Sequence, residues 1–273
     1  MAAGRRYRRR GRKPEAWVIA SFAVLAAAGL IVGLTLAHGG TRDIASKPAA
    51  LQVEGTTTTT PAASAAASTG TTQVSPAASA AVSTGTSCPD VNVVFARGTI
   101  ELPGLGIVGT PFASAVSADL PGMTVTDYAV NYAADITQDS AGPGATDMSE
   151  HIISMAAQCP DTRFIIGGYS QGATVTDIAI GIQTVLGTGT TIPASIAPRI
   201  AAIVTFGNPL RLTGQTIASA SPANAAKSDD FCNQGDPVCA NGVNGLAHIE
   251  YAFNGDATQG AQFAASKVLA TEG

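Results

Sequence analysis

The sequence predicts a three-layer α/β sandwich built on a mainly parallel central sheet. Two short, continuous apolar runs, at residues 164–168 (FIIGG) and 201–206 (AAIVTF), are typical of strands buried on both faces of a parallel sheet. Helical patterns separate the apolar runs along the chain. An alternation of strands and helices favours a parallel sheet that is covered by helices on both faces.

The N-terminus predicts export. Residues 1–14 form a basic tail, and within residues 15–37 the stretch 16–37 carries no charge. As a helix this stretch would span about 33 Å, enough to cross a hydrocarbon core. Because a basic flank stays in the cytoplasm, the remainder of the chain is expected outside it. Signal cores run to about 15 residues, so a permanent membrane anchor is favoured, with cleavage after Ala37 left open and secretion as its consequence.

Residues 38–87 predict a disordered linker. The segment is nearly all Thr, Ala, Ser, Gly and Pro, and the run 61–71 recurs at 76–86 with one substitution. Such a composition lacks the apolar side chains that offset the entropy of ordering. A flexible chain of this length reaches roughly 40 Å and would hold an enzyme clear of a membrane surface. Whether its hydroxyls carry sugars is left open.

Residues 88–273 are expected to form the folded domain. This part contains six Lys or Arg against sixteen Asp or Glu, a formal charge of −10. Such a balance without a basic cluster argues against a nucleic-acid partner. Further strands are predicted at Val91–Ala96 and Thr124–Tyr132. Helices are predicted after an N-terminal box of Asp147 and Glu150, at Ala173–Val185 and at Gln262–Ala270.

Four cysteines, all in the predicted domain, indicate two disulfides formed in an oxidising compartment. They are Cys88, Cys159, Cys232 and Cys239. Three pairings exist, and the most local one, Cys88 with Cys159 and Cys232 with Cys239, is favoured. A zinc site is disfavoured because only the last two cysteines are close in the sequence.

A G-x-S-x-G motif at residues 168–172 predicts a nucleophile. Alone the motif is a weak signal, but it lies between a buried strand and a helical pattern, where a nucleophile elbow must lie. The glycines permit the strained turn that lifts the hydroxyl of Ser170 from the end of the sheet. The alternative is an ordinary glycine-rich turn between strand and helix.

The base is predicted to be His248. In this kind of fold the order along the chain is Ser, then Asp or Glu, then His. Of the three histidines, His38 lies in the linker and His151 precedes Ser170 on a predicted helix. His151 is therefore interpreted as a partly exposed helix residue, and His248 as the histidine in the required place.

The acid has several candidates downstream of the motif, namely Asp229, Asp230, Asp236, Glu250 and Asp256. Asp236 is favoured because it lies between Cys232 and Cys239. A disulfide that closes so small a loop gains little from chain entropy, so its value would be to position a carboxylate against an imidazole. The alternative for Asp236 is a surface turn at Gly-Asp-Pro.

Several motifs, in this order, make residues 88–273 resemble the cutinase family, including its bacterial members. The matching pieces are CPDVNVVFARGT, GYSQG, FGNP, FCNQGDPVC and the late histidine. The resemblance implies an α/β-hydrolase with little or no lid that cleaves carboxylic esters. It implies a triad of Ser170, Asp236 and His248, and an oxyanion hole at Thr99 and Gln171. Fungal members carry Ser where this chain has Thr99.

The predicted function is that of an extracytoplasmic serine esterase acting through an acyl-enzyme. The expected partner is an ester or lipid-like small molecule, with no metal or organic cofactor and a monomeric catalytic domain. Two alternatives stay open. One is an acyltransferase or thioesterase that uses the same triad, and the other is a catalytically silent surface binding protein. The natural substrate and its acyl chain length do not follow from the fold.

Overall fold

A computed structural model describes residues 88–270. The basic tail, the apolar segment and the linker predicted for 1–14, 15–37 and 38–87 therefore lie outside the described residues. From residue 88 to residue 270, no helix is both long and apolar enough to cross a membrane.

Five parallel strands form a single sheet. They are β1 (Val91–Ala96), β2 (Val125–Ala129), β3 (Arg163–Tyr169), β4 (Ile200–Phe206) and β5 (Ser228–Phe231). Their order across the sheet is β2-β1-β3-β4-β5. The chain first moves from β1 outward to β2 and then returns past β1 to β3. The carboxyl ends of β1 and β3 therefore flank a topological switch point, where open α/β sheets bind ligands.

Helices cover both faces of the sheet. They are α1 (Gly106–Asp119), α2 (Ala141–Gln158), α3 (Gln171–Ala179), α4 (Ile217–Ala220), α5 (Gly245–Ile249) and α6 (Asp256–Ala270). Short 3₁₀ turns occur at Ala197–Arg199, Pro209–Thr213, Pro222–Lys227 and Glu250–Ala252. Helices α1 and α6 pack together on one face, and α2 packs with α3 on the other.

Two hydrophobic cores fill the space between the layers. Under α1 and α6, the rings of Phe95, Phe112 and Phe206 have centroids 5.6–6.3 Å apart. On the opposite face, Met148 of α2 lies in one buried cluster with Ile166 of β3. The predicted three-layer sandwich with a parallel sheet is confirmed by this arrangement.

Helix α2 begins earlier than predicted. Its first residue is Ala141, so Asp147 lies inside the helix and the predicted N-terminal box at Asp147 and Glu150 is wrong. The carboxylate of Asp147 instead accepts hydrogen bonds from the hydroxyl of Tyr128 and the N–H of Asn131. Glycine is needed at the start of α2 because the backbone at Thr188 packs closely against it. A Cβ at Gly142 would lie 2.2 Å from the carbonyl oxygen of Thr188.

Other boundaries also differ. Strand β2 ends at Ala129 instead of Tyr132, since the carbonyls of Val130 and Tyr132 accept hydrogen bonds from the Arg97 guanidinium. Helix α3 ends at Ala179 instead of Val185, and Gly181 follows with a φ of 86°. The last helix begins six residues earlier than predicted, at Asp256.

Both favoured cysteine pairings are present. Cys88 joins Cys159, so this bridge ties the start of β1 to the end of α2. Cys232 joins Cys239 immediately after β5. All four cysteines are in disulfides, so none is available as a thiolate ligand of a zinc ion.

Candidate active site

The G-x-S-x-G motif forms a strained turn between β3 and α3. Ser170 has φ 57° and ψ −116°, a conformation that non-glycine residues rarely adopt. The flanking glycines permit this turn. A Cβ at Gly168 would lie 2.0 Å from the carbonyl oxygen of Gly172, and one at Gly172 would lie 1.9 Å from that of Ala96. Close backbone packing thus holds the serine at the carboxyl edge of the sheet.

His248 lies in α5 with its imidazole against this serine. Its Nε2 is 2.9 Å from Oγ of Ser170, and its Nδ1 is 2.8 Å from Oδ2 of Asp236. All three side chains are buried. Gly207 at the end of β4 leaves space for the ring, because a Cβ there would lie 2.7 Å from Cε1 of His248.

Asp236 is held by donors from several directions. Its Oδ1 accepts a 2.7 Å hydrogen bond from the N–H of Val238, and its Oδ2 accepts bonds from His248 and the Tyr251 hydroxyl. Burial raises the pKa of Asp236, but the bonds from His248, Tyr251 and Val238 outweigh burial and leave the pKa below its usual value. The carboxylate is therefore ionised at neutral pH.

The other acidic candidates have different partners. Asp230 accepts a hydrogen bond from Thr205 at 2.9 Å and lies 3.7 Å from Arg211. Asp229 accepts from the N–H of Asp230, and Asp256 accepts from Asn254. Asp236 is the one that the structure places against the imidazole.

His151 contacts neither the serine nor Asp236. Its Nε2 lies 3.0 Å from Oδ1 of Asn92, and its ring stacks on Tyr128 with centroids 3.6 Å apart. Burial lowers the pKa of His151. The structure thus places His151 as a half-buried helix residue.

Thr99 and Gln171 lie beside each other at the switch point. Gln171 begins α3, so its N–H belongs to the first helical turn, where donors have no partner within the helix. The Thr99 hydroxyl lies 3.4 Å from Oε1 of Gln171 and accepts a 2.9 Å bond from Nε2 of Gln138. The two expected oxyanion residues are brought together by the carboxyl ends of β1 and β3.

Glu101, which the sequence reasoning missed, closes the loop that bears Thr99. Its carboxylate accepts hydrogen bonds from the N–H groups of Gly98 at 2.5 Å and Ile107 at 2.7 Å. Burial raises the pKa of Glu101 despite these bonds. Gln138 and Tyr251 were missed as well. The sequence offers one signal for two of them: Glu101 lies two residues after Thr99, and Tyr251 lies one helical turn after His248.

Comparisons with known proteins point to one family. A family model described as Cutinase matches residues 87–268. A cutinase from Kineococcus radiotolerans is 57% identical over 188 residues, which cover 67% of this chain and 63% of that protein. A probable carboxylesterase, Culp3, from Mycobacterium tuberculosis is 43% identical over 188 residues, 67% of this chain and 71% of that protein.

Solved structures agree with the sequence comparisons. An acetylxylan esterase superposes with a TM-score of 0.60 at 28% identity, over 67% of this chain and all of that one. The expected enzyme class, a serine carboxylic-ester hydrolase, agrees with the names of these relatives. On the family match and the shared fold, the chain belongs to the cutinase family.

Proposed function

We propose that this protein hydrolyses carboxylic esters with Ser170 as nucleophile, His248 as general base and Asp236 as the acid of the triad. The observation that carries the proposal is the continuous hydrogen-bonded row from Ser170 Oγ through the imidazole to the Asp236 carboxylate, at 2.9 and 2.8 Å. Such a row activates a hydroxyl that is a weak nucleophile on its own.

The reaction follows from these positions. Ser170 Oγ attacks the carbonyl carbon while its proton moves to Nε2 of His248, and Asp236 stabilises the resulting imidazolium. The N–H groups of Gln171 and Thr99 bind the developing oxyanion, each worth about 3 kcal/mol in comparable sites. The imidazolium then protonates the departing alcohol. Water, deprotonated by His248, attacks the carbonyl carbon of the acyl-enzyme. The imidazolium then returns the proton to Ser170 Oγ as the bond to the acyl group breaks and the acid is released.

Exposed apolar side chains near the proposed site residues in the sequence support an ester or lipid-like substrate. Leu102 follows the Thr99 loop with 84% of its surface exposed, and Leu246, two residues before His248, is 62% exposed. Exposed apolar groups that lie close in the chain to the expected oxyanion residue and to His248 favour an apolar acyl or alcohol moiety over a charged one.

We place the catalytic domain outside the cytoplasm. The support is the pair of disulfides, because such bonds persist in oxidising compartments and are rare where thiols are kept reduced. The N-terminal segment predicted for 15–37 would tether the domain or release it after cleavage. Recovery of full-length protein in membranes after a high-salt wash supports the tether, whereas a mature N-terminus near His38 in the medium supports release.

Hydrolysis of p-nitrophenyl esters from acetate to palmitate tests the proposed activity. Ser170→Ala should abolish turnover and labelling by a fluorophosphonate, and His248→Ala should lower kcat about a thousandfold or more. His151→Ala is the matched control and should behave as wild type. Equal losses in the two histidine variants, or an active Ser170→Ala protein, would contradict the assignment. Transfer of the acyl group to an added alcohol in preference to water would favour the acyltransferase.

A further inference from the structure

Tyr251 shares an oxygen of the triad acid with the catalytic histidine. It lies three residues after His248, in the 3₁₀ turn that continues α5, and it is fully buried. Its hydroxyl lies 2.6 Å from Oδ2 of Asp236, the oxygen that also lies 2.8 Å from Nδ1 of His248. Tyr251 and His248 therefore compete for the same acceptor.

The surroundings of Tyr251 determine the direction of this hydrogen bond. The N–H of Asn233 donates to the phenol oxygen at 2.9 Å, so the phenol proton is left to point at Asp236. Burial, and then the charge of Asp236, raises the pKa of Tyr251 far above its usual value. Tyr251 is thus a permanent donor to the carboxylate.

Tyr251 also connects the triad to the small disulfide loop. Its hydroxyl lies 3.4 Å from Sγ of Cys239, and Asn233, which donates to it, belongs to the same loop. The ring packs edge-on against His248, with centroids 6.2 Å apart. One side chain therefore contacts the loop that bears Asp236 and the ring that Asp236 must orient.

We propose that Tyr251 is a positioning residue of the triad, which aligns the Asp236 carboxylate and limits how strongly this carboxylate stabilises the imidazolium. The inference rests on the proposed triad. A donor to Oδ2 withdraws charge from the oxygen that faces Nδ1, so the imidazolium is stabilised less than it would be by an undivided carboxylate. The acidic limb of the pH–rate profile consequently begins at lower pH.

Other ionisable groups face the same pair. Glu101 in the loop after β1 interacts electrostatically with His248, and Tyr169 at the end of β3 donates a 2.7 Å bond to the backbone carbonyl of His248. Neither group is bonded to the Asp236 carboxylate. Tyr251 and His248 are the side chains that do bond to it.

The test is Tyr251→Phe, which removes the hydroxyl and keeps the ring. We expect kcat on the alkaline plateau to fall about three- to tenfold, because a less restrained carboxylate aligns the imidazole less well. KM should change less than twofold, since the buried ring does not reach the substrate. The midpoint of the acidic limb of kcat/KM should rise by about half to one pH unit. Tyr128→Phe, which loses a bond to Asp147 away from the site, is the matched control.

A double-mutant cycle separates positioning from general destabilisation. In an Asp236→Asn background, Tyr251→Phe should alter neither kcat nor the acidic midpoint, because the charged acceptor is gone. Equal effects of Tyr251→Phe in both backgrounds, or an unshifted acidic limb in the single variant, would overturn the proposal. Activity that persists in Ser170→Ala would instead overturn the triad itself, so the two failures are distinguishable.

A second replacement covers the case in which Tyr251→Phe does not fold. Site-specific replacement of Tyr251 by 3-fluorotyrosine keeps the hydrogen bond and makes the phenol a stronger donor. The acidic limb should then move to lower pH, opposite to the shift expected for Tyr251→Phe. An acidic limb that does not move, or that moves to higher pH, in the fluorotyrosine protein counts against the inference.

Discussion

Removal of the two disulfides should affect stability and activity in opposite order. Cys88–Cys159 lies at the amino edge of the sheet, where β1 begins and α2 ends. Cys232–Cys239 lies at the carboxyl edge and encloses Asp236. We expect replacement of each pair by serine to separate a bridge that mainly stabilises the fold from one that mainly positions the proposed triad acid.

The sequence separations of the bridged cysteines set the expected losses of stability. The separations are 71 residues for Cys88–Cys159 and 7 for Cys232–Cys239. The chain-entropy relation assigns about 4.4 kcal/mol to the long loop and about 2.4 kcal/mol to the short one. For a domain of this size, those values correspond to a fall in Tm of roughly 9–18 °C and 5–10 °C.

Activity should follow the reverse order. The Asp236 backbone and carboxylate keep several hydrogen bonds without the bridge, but the ends of the loop are freed, and a displacement of about 1 Å can cost on the order of a hundredfold in rate. We expect kcat/KM of Cys232→Ser/Cys239→Ser to fall about that far. Cys88→Ser/Cys159→Ser should stay within about twofold of wild type, measured well below its Tm.

The assays are a thermal melt and kcat/KM on p-nitrophenyl butyrate for both double variants. A short-loop variant with wild-type kcat/KM and a Tm below that of the long-loop variant would refute the reasoning. The bridge around Asp236 would then be a stability element.

Two further substitutions probe close packing and a buried acid. Gly207→Ala should lower kcat tenfold or more, because a Cβ at Gly207 would lie 2.7 Å from Cε1 of His248. Gly214→Ala is the matched control: Gly214 has a similar φ, 75° against 60° for Gly207, but no atom beyond its chain neighbours lies within 4 Å of the added Cβ. The Gly214 variant should be equally strained yet fully active. Equal activities would show that the imidazole tolerates the methyl group. Burial raises the pKa of Asp230 to about 6, so the native state loses stability as pH rises from about 4 to about 6. Asp230→Asn keeps an acceptor for Thr205. Its unfolding free energy should exceed that of wild type by about 1–3 kcal/mol at pH 7 and match it below pH 4. If urea titrations show the same difference at all pH values, the effect does not come from the raised pKa of Asp230.

The buried strands were predictable because their apolar runs are continuous. Strand β1 has the predicted bounds, and β3 and β4 extend the predicted runs by one residue at one or both ends. Strand β5 was not predicted, since its sequence SDDF is polar. Its polar side chains belong to an edge strand, where Asp230 bonds to Thr205 of β4. Helix α1 was also missed, and Pro111 lies inside it.

The site was predictable to the extent that chemistry and chain order constrain it. A serine elbow requires a downstream acid and histidine, which led to Asp236 and His248 as hypotheses. The supporting residues follow no such rule. Gln138 meets Thr99 across 39 residues because α2 begins beside the switch point. The contact of Gln138 with Thr99 depends on how α2 packs against the sheet, which cannot be predicted from the local sequence.

The proposed triad acid, Asp236, is stabilised by neutral donors instead of a fixed cation. Among residues 88–270, the basic side chain within ion-pair distance of Asp236 is His248, and no Lys or Arg forms an ion pair with it. An adjacent guanidinium would oppose the positive charge that develops on the imidazole in the transition state. The Val238 N–H and the Tyr251 hydroxyl offset the burial of the carboxylate without adding a net positive charge. Because a carboxylate attracts a charged imidazolium more strongly than a neutral imidazole, Asp236 in the proposed mechanism stabilises the transition state more than the ground state.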